Sequence, residues 1–194
     1  MSTAILKAAP IHFGPFIVTT QVFHLTPQTY ALVNLKPILP GHVLVSPRRV
    51  VPRVSDLTAT ETADLFLTVR RVARLVERVY GASSLNIAIQ DGADAGQSVP
   101  HVHAHVIPRR AADLESRGGV DVVYEILESE EGDLGRILSE REGEEQGQGQ
   151  GQGANGGRRR FPKVDNEERR ARSLEEMEAE ASMLMREMEK LGDD

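Results

Sequence analysis

The chain has 194 residues, 40% of them apolar and 27% charged, enough for one packed domain with chain to spare. A formal net charge of −6, no Trp and only 4% aromatic residues argue against a protein that coats nucleic acid or stacks bases on aromatic platforms. No apolar run approaches the roughly 18 residues of a membrane span, the opening MSTAILKAAPIHFGPF is not a secretory signal, and the lack of cysteine excludes disulfides, thiolate metal sites and thiol nucleophiles and fits a reducing compartment.

In chain order, Phe16–Phe23 is rich in β-branched residues and predicts a strand. Tyr30–Leu35 and His42–Ser46 predict two more, joined as a hairpin by Lys36-Pro-Ile-Leu-Pro-Gly41. Thr58-Ala-Thr-Glu61 is a capping box that opens a long helix. Leu65, Val69, Val72, Val76 and Val79 form its buried face, and Gly81 is placed to end it. Leu85–Gln90 and His101–Ile107 predict the last strands, the second stopped by Pro108. Strands joined by hairpins around one long helix predict an α+β domain over residues 1–140. Residues 141–172 contain GEEQGQGQGQGANGG, which cannot bury enough surface to offset the cost of ordering, and predict a flexible Gln/Gly-rich linker. Residues 173–194 begin with a second capping box, Ser173 to Glu176. Leu174, Met177, Ala181, Leu184, Met188 and Leu191 then line one helical face, predicting a C-terminal helix that packs back on the domain.

Chemistry concentrates in the last strand. Alternation with period two points His101, His103 and His105 one way and Val102, Ala104 and Val106 toward the core. The same rule sets Gln90 opposite Ile89 and Ile87, Asn34 opposite Val33, and His42 opposite Val43. Burying three imidazoles without a task is costly. Adjacent imidazolium ions about 7 Å apart would repel by about 2 kcal/mol at an effective dielectric near 20. The central ring is therefore expected neutral, a competent nucleophile, between protonated neighbours that suit an anionic substrate. Just upstream, Gln90-Asp-Gly-Ala-Asp-Ala-Gly96-Gln97-Ser98-Val99 is a Gly-rich loop of the kind that holds phosphate oxygens.

These residues resemble a known family. His101-Val-His-Ala-His-Val-Ile107 matches the histidine triad signature, and Gln90-Asp-Gly, Gly96-Gln97-Ser98-Val99 and Pro40-Gly41-His42-Val43 match the same superfamily. Ala31-Leu-Val-Asn34, Lys36-Pro37, Asp64-Leu-Phe66 and Pro108-Arg109 are similar to its Fhit-like branch, the dinucleoside triphosphate hydrolases. The match runs from Phe13 to Tyr124-Glu125 and returns at Arg172-Ser173 and Glu176 to Ala181. The resemblance implies a five-stranded antiparallel sheet with helices, a homodimer, and cleavage of diadenosine triphosphate to AMP and ADP. It implies that His103 forms a covalent adenylyl-histidine. His101 and His105 would hydrogen-bond phosphate oxygens and help protonate the leaving group, and His42 would stand behind His101. Asn34 would contact ribose, Gln90 would position the water, and Gly96, Gln97, Ser98 and Val99 would cradle phosphates. Phe13 and Leu32 would wall the base pocket. A divalent cation (Mg2+ or Mn2+) would bind with the polyphosphate, and no carboxylate cluster in the sequence can be named as a protein metal site.

Two departures stand out. The branch usually carries a His three residues after the first Phe, where this chain has Phe16, and residues 112–172 are longer and more acidic than usual. A Hint-like nucleoside phosphoramidase is the nearest alternative, disfavoured by Gln90-Asp-Gly and by Pro108 after the triad. A galactose-branch nucleotidyl transferase usually has Gln at the position of His105. A zinc protein would need three ligands at i, i+2 and i+4 of one strand to converge on one ion. A slow-turnover nucleotide-binding signalling protein would use the same site. The expected partners are a small dinucleoside polyphosphate and a second copy of the chain, with neither nucleic acid nor membrane. The expected location is the cytoplasm, with the nucleus as a second compartment: Arg158–Arg160 reads either as an import or phosphate patch or as a solvated linker. Arg109 and Arg110 either steer polyphosphate or have no specific role, and Tyr124 reads as a packing residue or a phosphorylation site.

Overall fold

The computed structural model describes residues 9–127 and 171–192. A small hairpin, β1 (His12–Phe13) and β2 (Phe16–Ile17), precedes a five-stranded antiparallel sheet. The sheet strands are β3 (Val22–Leu25), β4 (Thr29–Val33), β5 (Val43–Pro47), β6 (Ser84–Ile89) and β7 (Ala104–Arg109), in the order β3-β4-β5-β7-β6. This is the α+β architecture the sequence predicts.

Helix α1 (Ala59–Tyr80) starts at the expected capping box. The Thr58 hydroxyl accepts from the Glu61 N–H at 3.2 Å, and Glu61 Oε2 accepts from the Thr58 N–H at 2.9 Å. It ends at Gly81, whose φ of 60° is left-handed and suits glycine. Leu65, Val69, Val72, Leu75 and Val76 are buried, and α1 packs against β4, β5, β6 and β7. Helix α2 (Leu174–Glu189) is capped in the same manner by Ser173 and Glu176. It buries Met177, Ala181, Leu184 and Met188 against β3 and β4, in the core cluster that also holds the buried face of α1.

Several local expectations need correction. Phe16–Phe23 is not one strand: a 3-10 turn over Thr19–Gln21 separates β2 from β3. The Thr19 hydroxyl accepts from the Ile11 N–H at 2.9 Å, tying this turn to the chain before β1. Pro108 does not stop the last strand but lies inside β7, opposite Leu85. Pairing of β7 with β5 ends at Val43↔Val106, so the missing proline N–H falls where β7 has β6 alone as neighbour. Strand β7 also starts later than expected, at Ala104, which leaves His101 and His103 on the segment leading into it. The stretch 141–170, including Arg158–Arg160, lies outside the described residues.

Candidate active site

Strand register gathers the polar residues on one sheet face. Leu44 pairs with His105 and with Leu32, Tyr30 pairs with Ser46, and Ala88 pairs with His105. Side chains alternate, so Tyr30, Leu32, His42, Leu44, Ser46 and His105 share a face, while Ala104 and Val106 point to the face packed by α1. Asn34 and Gln90 sit one residue past the ends of β4 and β6, in the same alternation. His42, His101, His103 and His105 are at most 1% exposed. The His103 and His105 ring centroids are 5.0 Å apart, and those of His42 and His105 5.1 Å.

Hydrogen bonds assign the tautomers. The His103 Nδ1 lies 2.7 Å from the His101 carbonyl oxygen, which only accepts, so Nδ1 carries the proton and Nε2 the lone pair. The Ile38 N–H donates to His42 Nδ1 at 3.1 Å, so the proton of neutral His42 is on Nε2, 2.9 Å from His105 Nδ1. His105 accepts there, and its own proton is placed on Nε2. The site therefore holds an unprotonated imidazole nitrogen on His103 and a ring N–H on His105, supported from behind by His42.

His42 therefore backs His105, not His101 as expected. His101 has other partners: its Nδ1 accepts from the Gly14 N–H at 3.0 Å, and its Nε2 donates to the Pro47 carbonyl at 2.8 Å. The Ser46 hydroxyl lies 3.2 Å from the same Nε2. Burial lowers the His101 pKa from its usual 6.5 to about 4, so it is neutral near pH 7 rather than the expected imidazolium. With Nδ1 accepting from the main chain and Nε2 donating to it, the expected hydrogen bond to a phosphate oxygen gives way to an anchoring role. His101 holds the carbonyl that fixes His103. Gly14 and Ser46 were missed because nothing local in the sequence ties them to the triad; only register and the β1–β2 turn bring them there.

The remaining candidates divide. Asn34 is buried, its Oδ1 accepts from the Lys36 N–H at 2.9 Å, and its amide nitrogen lies 3.3 Å from His42 Nε2. Gln90 donates through Nε2 to the Ala95 carbonyl at 3.1 Å, leaving its buried Oε1 with no hydrogen-bond partner among the described residues. Gly96 lies against it: a Cβ there would come within 2.4 Å of Gln90 Nε2. The Gly96 and Gln97 N–H groups are spent closing the turn, onto the Ala93 and Gly92 carbonyls at 3.0 and 3.1 Å. The Gln97 side chain braces Gly92 N to the Pro52 carbonyl. The expected phosphate cradle is thus braced on itself at those two residues, while Ser98 Oγ is buried and Val99 packs on Gly14. Phe13 and Leu32, expected to wall a base pocket, are 1% and 2% exposed. Phe13 stacks on His101 at 5.7 Å and meets His103 edge-on at 5.0 Å. Arg109 is engaged by Asp113, through two 2.9 Å bonds, and by Asn86. Arg110 donates to the Tyr80 carbonyl, and Tyr124 is exposed. Among the described residues no group of three or more His, Asp or Glu is placed to hold a metal ion.

Comparison with known proteins agrees with this geometry. Residues 17–112 match the HIT domain family. A bis(5'-nucleosyl)-tetraphosphatase (asymmetrical) of Schizosaccharomyces pombe is 49% identical over 174 residues, 90% of this chain and 92% of its own. A bifunctional bis(5'-adenosyl)-triphosphatase/adenylylsulfatase FHIT of Arabidopsis thaliana is 53% identical over 127 residues, 65% of this chain and 69% of its own. The solved structure of Plasmodium falciparum diadenosine triphosphate hydrolase in complex with Cyclomarin A superposes with a TM-score of 0.54 at 32% identity, covering 69% of this chain and 87% of that one. The chain belongs to the histidine triad (HIT) family, on its Fhit-like branch.

Proposed function

We propose that the chain is a dinucleoside polyphosphate hydrolase that cleaves diadenosine triphosphate to AMP and ADP. The observation that carries this reading is the pairing of tautomers, a lone pair on His103 Nε2 beside a proton on His105 Nε2. The His103 lone pair attacks the α-phosphorus, a phosphorus–nitrogen bond forms, and the bridging phosphorus–oxygen bond breaks. ADP leaves with the proton from His105. Water then attacks the adenylyl phosphorus and passes a proton to His105, the new phosphorus–oxygen bond forms as the phosphorus–nitrogen bond breaks, and its electron pair returns to His103 Nε2 as AMP leaves. Gln90 Oε1, a buried acceptor, suits the orientation of that water. Asn34 is assigned to ribose, and Phe13 and Leu32 to the base, on the family pattern alone.

We place the divalent cation, Mg2+ or Mn2+, on the polyphosphate, because the described residues supply no converging donor set for it. A homodimer is inferred through β6, an edge strand whose Ile87 is 49% exposed. Among the described residues no helix is long and apolar enough to cross a membrane. A cytoplasmic location, with the nucleus as second compartment, is inferred from the cysteine-free composition.

Product analysis by chromatography tests the reading. Protein with Mg2+ and diadenosine triphosphate is expected to give AMP and ADP in equal amounts, with turnover lost in His103→Ala. Diadenosine tetraphosphate belongs in the same assay, since the S. pombe relative is named a tetraphosphatase. Turnover of nucleoside phosphoramidates alone would favour the Hint-like alternative, and no turnover of any of them would overturn the proposal.

A further inference from the structure

The segment entering α2 is bonded to the loop that carries His42. The Arg172 N–H donates to the Leu35 carbonyl at 3.0 Å, and Arg172 Nε donates to the Asn34 carbonyl at 3.0 Å. Arg172 Nη2 also donates to the Asn34 carbonyl, and Nη1 pairs with Glu180 Oε2. The other Glu180 oxygen, Oε1, accepts from the Tyr80 hydroxyl at 2.6 Å. The Tyr80 ring lies against Gly41, where a Cβ would come within 2.5 Å of Tyr80 Cδ2, and Gly41 directly precedes His42. Glu180 is thus a node with one arm on each end of the loop 34–42. Arg172 holds its start at Asn34 and Leu35, and Tyr80 braces its end at Gly41.

What hangs between these arms is the support of the triad. Asn34 lies 3.3 Å from His42, Ile38 fixes the His42 tautomer, and His42 meets His105 at 2.9 Å. A loop held at both ends keeps the Ile38 N–H on His42 Nδ1 and hence the His42 proton on His105. Bonds from a guanidinium to a main-chain carbonyl are charge-assisted and directional, which a Lys ammonium reproduces only in part.

We propose that Arg172, held by Glu180, is a positioning residue of the catalytic site, acting on His105 through the loop 34–42 and His42. The proposal rests on the hydrolase reading for its kinetic consequence but not for its structural one. The test uses the full chain with Arg172→Met, Arg172→Lys and Glu180→Gln, each alone and in a His42→Gln background. Kinetics with diadenosine polyphosphate are paired with long-range 15N–1H spectra of the histidine rings.

Arg172→Met is expected to lower kcat by about 10- to 100-fold, the usual range for an outer partner of a ligating or reacting imidazole, with KM little changed. Arg172→Lys recovers part of the loss. The spectra are expected to show His42 as a single Nε2–H tautomer in the native chain and as a tautomer mixture in Arg172→Met. In the His42→Gln background the same substitution leaves kcat unchanged. A lowered thermal midpoint with native kcat and an unchanged His42 tautomer would overturn the proposal, as would a full loss of kcat on top of His42→Gln. If Arg172→Met does not fold, Arg172→Lys and Glu180→Gln carry the same comparison. Should the native chain hydrolyse no diadenosine polyphosphate, the hydrolase reading fails by itself, and the ring spectra still decide whether Arg172 sets the tautomer.

Discussion

Strand β7 has a neighbour on each side, and the two sides are finished differently. Toward β5 and β4 every strand residue is buried, and the polar groups among them are paired: His42 with His105, Ser46 with the Val102 carbonyl at 2.7 Å, and Asn34 with Lys36 N. Toward β6 the sheet opens. Strand β6 has no fully buried residue, and Ile87, on the face opposite the histidines, is 49% exposed. The sequences differ with position: β4 (TYALV) and β5 (VLVSP) are nearly continuous apolar runs, whereas β6 (SLNIAI) alternates. Inner strands are covered on both faces and seal a hydrogen-bonded layer that fixes tautomers, whereas the edge strand leaves one side of its ladder open.

Breaking the sealed side carries the largest effects. His42→Gln removes the ring that hands its proton to His105, and kcat for diadenosine triphosphate is expected to fall by roughly 100-fold with native-like far-ultraviolet dichroism. An undiminished kcat would show that His105 needs no such support. Next comes the rim of the layer. Gly96 sits at a φ of 94° with its Cα facing Gln90, so Gly96→Ala combines backbone strain with a contact of 2.4 Å. It is expected to cost about 1–3 kcal/mol in urea unfolding and to disturb Gln90.

The buried layer also has a pH signature. His101 has a pKa of about 4 in the fold against a usual 6.5, so the unfolded chain takes up its proton first as pH falls. The stability this group contributes is complete above about pH 6.5 and is lost progressively as pH drops toward 4. Across that window the native chain is expected to lose stability faster than His101→Gln, by a slope difference approaching about 1.4 kcal/mol per pH unit. Equal slopes in the two proteins would contradict a neutral, buried His101. Glu61 acts in the same direction at lower pH. Its bonds from Arg49 lower its pKa from 4.5 to about 2, so its contribution is complete above about pH 4.5 and is lost progressively as pH falls from there toward 2.

The open side gives the smallest effect on the chain itself. Ile87→Lys is expected to change unfolding stability by less than about 0.5 kcal/mol while shifting sedimentation from dimer to monomer. A variant that stays dimeric would move the interface away from β6.

Much of this was legible because it is local. The capping boxes at Thr58 and Ser173, the left-handed Gly81 and the face of α1 are all written within a few residues of one another. The histidine face was legible through alternation, and His103 stands where that reasoning put it. Other features depend on register, which the sequence does not state. His42 backs His105 because Leu44 pairs with His105, which sets His42 beyond it along the same face. His101 is anchored by Gly14 and Pro47, from segments 87 and 54 residues away. The expectation of charged flanking rings weighed repulsion between neighbours and left out burial, which dominates at His101. The 49% exposure of Ile87, set only opposite Gln90 by alternation, was not legible because a strand pattern does not reveal which strand lies at the edge.

The central claim is that the fold presents His103 Nε2, with Nδ1 tied to the His101 carbonyl, as the attacking atom. Rapid alkaline quench of the protein with diadenosine triphosphate, followed by peptide mass spectrometry and 31P–15N correlation, tests it most directly. The account predicts an acid-labile adenylyl group on His103, bonded at Nε2, which forms and decays fast enough to account for turnover. An adduct on another residue, or turnover that persists in His103→Ala without any adduct, would contradict it.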